Sequence, residues 1–320
     1  MFQLTGAFFR LIRWPNLVFI FLTQWLFYYL ILLPSFAPIP GFSFTILLTP
    51  PLFYLLSLSS VLIAAAGYII NDYFDLNIDR VNKPDKLVVE KIIKRRWTII
   101  WHWILSGAGL LLGFYVSWKL RNPVVALGNL ACVALLWFYS TTFKRKLLIG
   151  NVLISLLTAW VILVLFFCEF RVIATDNPQF AVIKSILSRL FKFAIVYGGF
   201  AFILSLIREV VKDIEDMNGD ARYGCRTMPI VWGVNVAKVF AGTWLVVLTG
   251  ALIVIQFYEL QSWNWIAVSY CFLLLDLPLL WTLRKLYEAR TKADYHRLST
   301  VIKGIMLIGI LSMVIMNIHL

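Results

Sequence analysis

The chain has 320 residues, of which 61% are hydrophobic and only 14% charged, and it carries a net charge of +13. That balance excludes a soluble globular domain and indicates an all-α, polytopic membrane protein, in which an excess of Lys and Arg marks cytoplasmic loops rather than a nucleic-acid surface. The cysteines (Cys132, Cys168, Cys225, Cys271) and histidines (His102, His296, His319) are too dispersed for a disulfide framework, a zinc site or a His-based metal site.

Runs of roughly 20 apolar residues, enough to cross a bilayer, fall at 14–33, 46–70, 97–117, 123–142, 147–167, 192–211, 232–256, 262–283 and 301–319. Arg10 and Arg13 precede the first run as in a signal peptide, but its length and the eight runs behind it indicate a retained anchor. With the N-terminus in the cytoplasm, 23 of the 29 Lys and Arg lie on the cytoplasmic side. The positive-inside rule therefore favours that topology, with the C-terminus outside. Of the six outer cations (Lys119, Arg121, Arg171, Lys184, Arg189, Lys192), Lys184 and Arg189 suggest an interfacial helix within 169–191.

Two acidic stretches of one design stand out. Asp72-Tyr-Phe-Asp75-Leu-Asn-Ile-Asp79 ends the second run, and Asp213-Ile-Glu-Asp216-Met-Asn-Gly-Asp220 ends the sixth. Both read D-x-x-D-x-x-x-D and hold six of the ten Asp. On a helix the spacing i, i+3, i+7 aims three carboxylates one way. Acids that converge repel one another and need a cation; Mg²⁺ suits them, taking all-oxygen ligands and completing its octahedron with water and phosphate oxygens. The bland reading is a pair of solvated acidic helix ends. The 141-residue offset suggests an internal duplication, about 46–170 and 190–320, inside one membrane-embedded domain covering 1–320.

Cations follow each acidic stretch: Arg80, Lys83 and Lys86 after the first, Arg222 and Arg226 after the second, with Lys212 just before it. Carboxylates for a metal beside Lys and Arg for phosphate oxygens make a mixture suited to a metal-bound anion; taken singly, any of these cations is also ordinary positive-inside charge. The turn Tyr139-Ser-Thr-Thr-Phe-Lys144-Arg145-Lys146 is short and basic enough to close over a diphosphate. Asp276 lies in an apolar run before Pro278. It is either an intramembrane functional acid or a partner for a backbone group freed by the proline. The 13 Trp belong to membrane interfaces or to a cavity wall facing a cation.

These residues resemble the UbiA superfamily of intramembrane prenyltransferases. Asn71-Asp72-Tyr-Phe-Asp75-Leu-Asn-Ile-Asp79 looks like its first aspartate-rich motif and Lys212-Asp213-Ile-Glu-Asp216-Met-Asn-Gly219-Asp220 like its second. The Tyr139…Lys144 turn is similar to its short basic loop, with four residues between Tyr and Lys where many members have three, and Arg13…Asn16 is similar to its first-span signature. The resemblance implies nine transmembrane helices around a central cavity, a cytosolic polar cap and a lateral opening to lipid. It also implies Mg²⁺ held by Asn71, Asp75 and Asp79 with motif member Asp72, and by Asp213, Asp216 and Asp220. Tyr139 and Lys144 would be catalytic. A polyprenyl diphosphate would meet Arg80, Lys83, Lys144, Arg145, Lys212 and Arg222, and a lipophilic acceptor would meet Arg13, Asn16 and Asp276.

The run Arg208-Glu209-Val-Val-Lys212-Asp213 through Gly224-Cys-Arg-Thr227-Met-Pro229 is most similar to members that attach geranylgeranyl to geranylgeranylglyceryl phosphate; aromatic quinone precursors are the rival acceptors. A CDP-alcohol phosphatidyltransferase would carry an Asp-Gly dipeptide that this chain lacks. A transporter would set its charges at mid-membrane.

Overall fold

The computed structural model describes residues 2–36, 45–82, 84, 87–170 and 180–316, and no β-strand occurs among them. Among the described residues, a short amphipathic helix, α1 (Phe2–Leu11), precedes nine helices long and apolar enough to cross a membrane. These are α2 (Trp14–Ser35), α3 (Pro50–Asn82), α4 (Arg95–Leu120), α5 (Pro123–Thr141), α6 (Ile149–Glu169), α7 (Phe180–Arg222), α8 (Val234–Gln261), α9 (Trp265–Glu288) and α10 (Lys292–Ile315). The protein is an all-helical, multi-pass membrane protein. Two boundaries differ instructively from the apolar runs. Helices α3 and α7 do not stop where hydropathy falls but continue as helix through both acidic stretches. The interfacial helix expected within 169–191 is not separate: Phe180 to Leu190 form the opening turns of α7, with Lys184 and Arg189 exposed on it. Arg171, Lys83, Lys86 and His319 lie outside the described residues.

Two helices contain a widened turn just before a proline, Tyr28–Leu32 before Pro34 and Phe272–Asp276 before Pro278. Proline lacks an amide proton and its ring crowds the carbonyl four residues earlier; a π-turn absorbs that mismatch without breaking the helix.

The chain divides into two compact units, residues 1–143 with 160–195, and residues 144–159 with 196–320. In the first unit, polar groups tie apolar helices together where lipid offers no hydrogen bonds. The fully buried Gln24 donates to Ser60 Oγ (3.1 Å) and Val161 O (3.0 Å) and accepts from Ser57 Oγ (2.7 Å). Such bonds are worth about 0.6 kcal/mol each on average in a membrane. Glu169, also fully buried, accepts from the backbone amides of Leu47 and Leu48, which satisfies donors ahead of α3. Near the first acidic stretch, Val88, Val89 and Ile93 pack with Ala7 and Leu11 of α1 and with Ala65, Ile69 and Leu76 of α3. That cluster holds the segment after the acids against their helix.

The second unit has a core of α7 to α10, including Leu204, Ile207, Ala241, Leu245, Leu279 and Ile302. Gly233 (φ 86°) starts α8 from a backbone conformation that L side chains avoid. Lys238 donates to the carbonyls of Tyr287 and Ala289 at the end of α9, where the helix dipole favours a cation. Thr291 and Asp294 form a reciprocal capping box that begins α10.

Gly109 and Gly113, four residues apart on α4, both lie close against Ser59 of α3. Ser59 Oγ donates to Gly109 O (2.6 Å), and a β-carbon at 109 would come within 2.8 Å of Ile63 Cγ1. We expect Gly109→Val to destabilise the protein by about 1–3 kcal/mol through overpacking, read as a lowered Tm in detergent; an unchanged Tm would contradict this account of the contact.

Candidate active site

The first acidic stretch occupies the last turns of α3, a helix held by the buried Gln24 network below and the Val88–Ile93 cluster above. Asn71 Nδ2 donates to Asp75 Oδ2 across one turn (2.7 Å), and Asp75 is 4% exposed. The Asn71 amide oxygen is buried with no hydrogen-bond donor. An orphaned acceptor beside a buried carboxylate is costly by itself, and the pair presents the all-oxygen donors that a hard cation takes. The residues present therefore fit Mg²⁺. Asp79, half-buried, completes the i, i+4, i+8 row from Asn71.

Asp72 is engaged differently. Arg13, at a left-handed φ of 52° between α1 and α2, places Nη2 2.6 Å from Asp72 Oδ1 and its guanidinium over the Tyr68 ring. Burial alone would depress the Arg13 pKa, but Asp72, Tyr68 and Asp79 outweigh it and hold the guanidinium above its usual range. A non-glycine residue in that backbone region persists only where its surroundings hold it; here the ion pair does. Arg13, expected on the acceptor, thus has its charge on the motif itself, and Asn16 sits half-buried in the first turn of α2. Arg80 is exposed, 3.7 Å from Glu90. Lys83 lies outside the described residues.

The second acidic stretch ends α7. Asp213 Oδ2 accepts from Asn151 Nδ2 at the start of α6 (2.8 Å), Asp216 is half-buried and Asp220 is buried. Glu215 points off the acid face and meets His296 in the first turns of α10 (2.9 Å). Arg208 Nη1 bonds Glu209 Oε1 (2.8 Å). Lys212 is half-buried and Arg222 exposed at the helix end. The basic turn is a short 3₁₀ segment, Phe143–Arg145, with Lys144 half-buried and Arg145 exposed. Its backbone is tied to the segment after the second stretch, since Arg226 N donates to Arg145 O (2.9 Å). Tyr139, half-buried, belongs to the last turns of α5.

Among the described residues no three His, Cys, Asp or Glu side chains converge as a ready-made metal cluster. Each stretch instead spends part of its polar capacity on a neighbour: Asp72 on Arg13, Asp75 on Asn71, Asp213 on Asn151. Asp276 belongs to neither stretch; in the wide turn before Pro278 it accepts from Gln256 Nε2 (2.6 Å), a side chain rather than a freed backbone group. Sequence reading missed Asn151, Glu209 and His296 as partners. The available signal was a polar or charged residue at the edge of an apolar run.

A model of the UbiA prenyltransferase family matches residues 40–307. The chain belongs to the UbiA prenyltransferase family. This UbiA protein is a membrane enzyme that transfers prenyl groups, which removes the transporter and CDP-alcohol phosphatidyltransferase alternatives. It is 26% identical over 258 residues to the digeranylgeranylglyceryl phosphate synthase of Methanosphaera stadtmanae, covering 80% of this chain and 84% of that one. It is 33% identical over 194 residues to the synthase of the same description in Methanosarcina mazei, covering 61% and 58%. Among solved structures, a digeranylgeranylglyceryl phosphate synthase studied in membranes has a TM-score of 0.64 at 23% identity, covering 99% of this chain and 100% of that one. A UbiA homolog from Archaeoglobus fulgidus bound to DMAPP and Mg²⁺ has a TM-score of 0.55 at 14% identity, covering 96% and 99%. These likenesses establish the UbiA fold.

The Arg13–Asp72 pair gives a direct test. Arg13→Gln and Asp72→Asn each lower stability, and the double variant loses less than the sum, by about 0.5–3 kcal/mol of coupling, measured by denaturation in detergent. Strict additivity would show that the ion pair carries no energy.

Proposed function

We propose that this UbiA enzyme transfers a geranylgeranyl group from geranylgeranyl diphosphate to geranylgeranylglyceryl phosphate, with Mg²⁺, at the cytoplasmic side of the cell membrane. The observation that carries the metal site is the orphaned Asn71 oxygen beside buried Asp75, with the same D-x-x-D-x-x-x-D spacing of acids on α7. The acceptor reading is supported by the archaeal relatives described as digeranylgeranylglyceryl phosphate synthases. Sidedness is supported by the excess of Lys and Arg around and after the acidic stretches.

In this reading Asn71, Asp75 and Asp79 hold one Mg²⁺ and Asp213, Asp216 and Asp220 another, with Asp72 positioned by Arg13. Bound Mg²⁺ supplies neutralisation of the diphosphate as it leaves. Lys144, Arg145, Lys212, Arg80, Lys83 and Arg222 offer the donors for its remaining oxygens, where cations worth little in water gain strength as solvent is excluded. As the C1–O bond stretches, the allylic carbon becomes positive; the half-buried Tyr139 ring offers a face to that charge, and the apolar helices keep water from capturing it. The acceptor then forms the new bond at C1. The apolar spans accommodate the isoprenoid tails, and the basic turn suits an acceptor that brings its own phosphate.

Purified protein in detergent, given labelled geranylgeranyl diphosphate and Mg²⁺ with geranylgeranylglyceryl phosphate and an aromatic acid offered in parallel, tests the reading. We expect label in the ether lipid, lost at least 100-fold in Asp75→Ala and Asp216→Ala, a loss on the scale of removing an electrostatic catalytic group. Label in the aromatic acid alone would overturn the acceptor. Full activity in either variant, or after removal of Mg²⁺, would overturn the site.

A further inference from the structure

The acid face of α7 does not begin at Asp213. Ser205, Glu209, Asp213, Asp216 and Asp220 recur at intervals of four, four, three and four residues, which is the period of one helix face. Glu209 therefore stands one turn, about 6 Å, further into the membrane than Asp213. Two side-chain contacts fix how that face meets α6: Asn151 with Asp213 (2.8 Å) and Thr158 with Ser205 (3.2 Å). The helices run antiparallel there, so Glu209 is level with Ser155, which is fully buried and whose hydroxyl is turned back to its own helix at Asn151 O. A polar seam thus continues below the acidic stretch, between two otherwise apolar spans. Within it the Glu209 side chain is 14% exposed, in a salt bridge with Arg208, whose Nε is buried without an acceptor. Charged side chains are expensive inside a membrane span and mark functional positions. Neither residue has a part in holding metal or diphosphate in the reading above.

We propose that Glu209 is the base that takes the proton from the acceptor's hydroxyl, with Arg208 as the positioning residue that orients its carboxylate. This rests on the reading that the acceptor is an alcohol. The chemistry requires such a group. The C1–O bond to the diphosphate breaks and its electron pair leaves with pyrophosphate; a lone pair of the acceptor oxygen forms the ether bond to C1; the hydroxyl proton must go elsewhere. The Asp carboxylates read as metal ligands are committed to cations and are poor proton acceptors. The isoprenoid tail has to lie in apolar space, so C1 lies on the membrane side of the diphosphate, and a carboxylate one turn membrane-ward of the acid cluster is at the level where the new bond forms. Glu209 Oε1 is bonded to Arg208, which leaves Oε2 to receive the proton; it returns to water as products depart.

The test compares wild type, E209Q and E209D in purified full-length protein, with geranylgeranyl diphosphate, geranylgeranylglyceryl phosphate and Mg²⁺. We expect E209Q to lower kcat by about 10²–10⁴-fold, the range for loss of a general base, with KM and Kd for the diphosphate within about threefold of wild type and partial rescue by E209D. A kcat for E209Q within about threefold of wild type overturns the proposal. So does loss of diphosphate binding in E209Q with Tm unchanged, which would place Glu209 in the diphosphate site. If E209Q does not accumulate as folded protein, E209D takes the test: a kcat lowered at least tenfold at unchanged KM supports the base, and a wild-type kcat overturns it. Wild-type protein that modifies only the aromatic acid overturns the acceptor reading and this base with it, a result distinct from active wild type with equally active E209Q.

Discussion

Carboxylates stacked at the end of an apolar helix need positive or hydrogen-bonding partners, and this constraint shapes both acidic stretches. Repulsion between acids in a poorly solvated place is far stronger than in water. The structure answers part of it with its own side chains: Arg13 takes Asp72, Asn71 takes one oxygen of Asp75, and Asn151 takes one oxygen of Asp213. What is left over, above all the orphaned oxygen of Asn71, is what a divalent cation and an anionic substrate would use. In the proposed reading, such a site would be completed by the metal and the diphosphate.

The surrounding fold keeps that tension local. Helices α3 and α7 are much longer than a bilayer requires, so the acids project beyond the apolar layer while still in rigid helix. Buried polar ties such as Gln24 with Ser57, Ser60 and Val161 O, and Glu169 with the amides before α3, hold one unit without asking lipid for hydrogen bonds. The second unit anchors its acidic helix end through Glu215 to the capped start of α10. Sites on helices supported in this way are placed more closely than sites on loops.

The spans and both acidic stretches were legible in the sequence because they depend on local quantities: about 20 apolar residues per crossing, and a repeated spacing. The spacing aligns the carboxylates only on a helix; it does not by itself show that the helix continues through them. The ends of α3 and α7 were not legible from hydropathy, since a helix carrying charges past the membrane edge looks like a loop to an apolar count. Nor was the ion pair of Arg13 with a residue 59 positions away. Asp276 illustrates the same limit: its partner Gln256 lies on another span, and nothing near Pro278 points to it. Asn151 and His296 are single polar residues at span ends, and only packing distinguishes them from surface.

The central claim, that each acidic stretch contributes to a metal site loaded together with a prenyl diphosphate, is tested most directly by counting bound metal. Mn²⁺ substituted for Mg²⁺ can be titrated by electron paramagnetic resonance against purified protein holding an unreactive thiolo analogue of geranylgeranyl diphosphate. The account predicts two tightly bound ions in the wild type, and one fewer in Asp75→Ala and in Asp216→Ala. Equal metal content in all three proteins, or no analogue-dependent binding in the wild type, would contradict it.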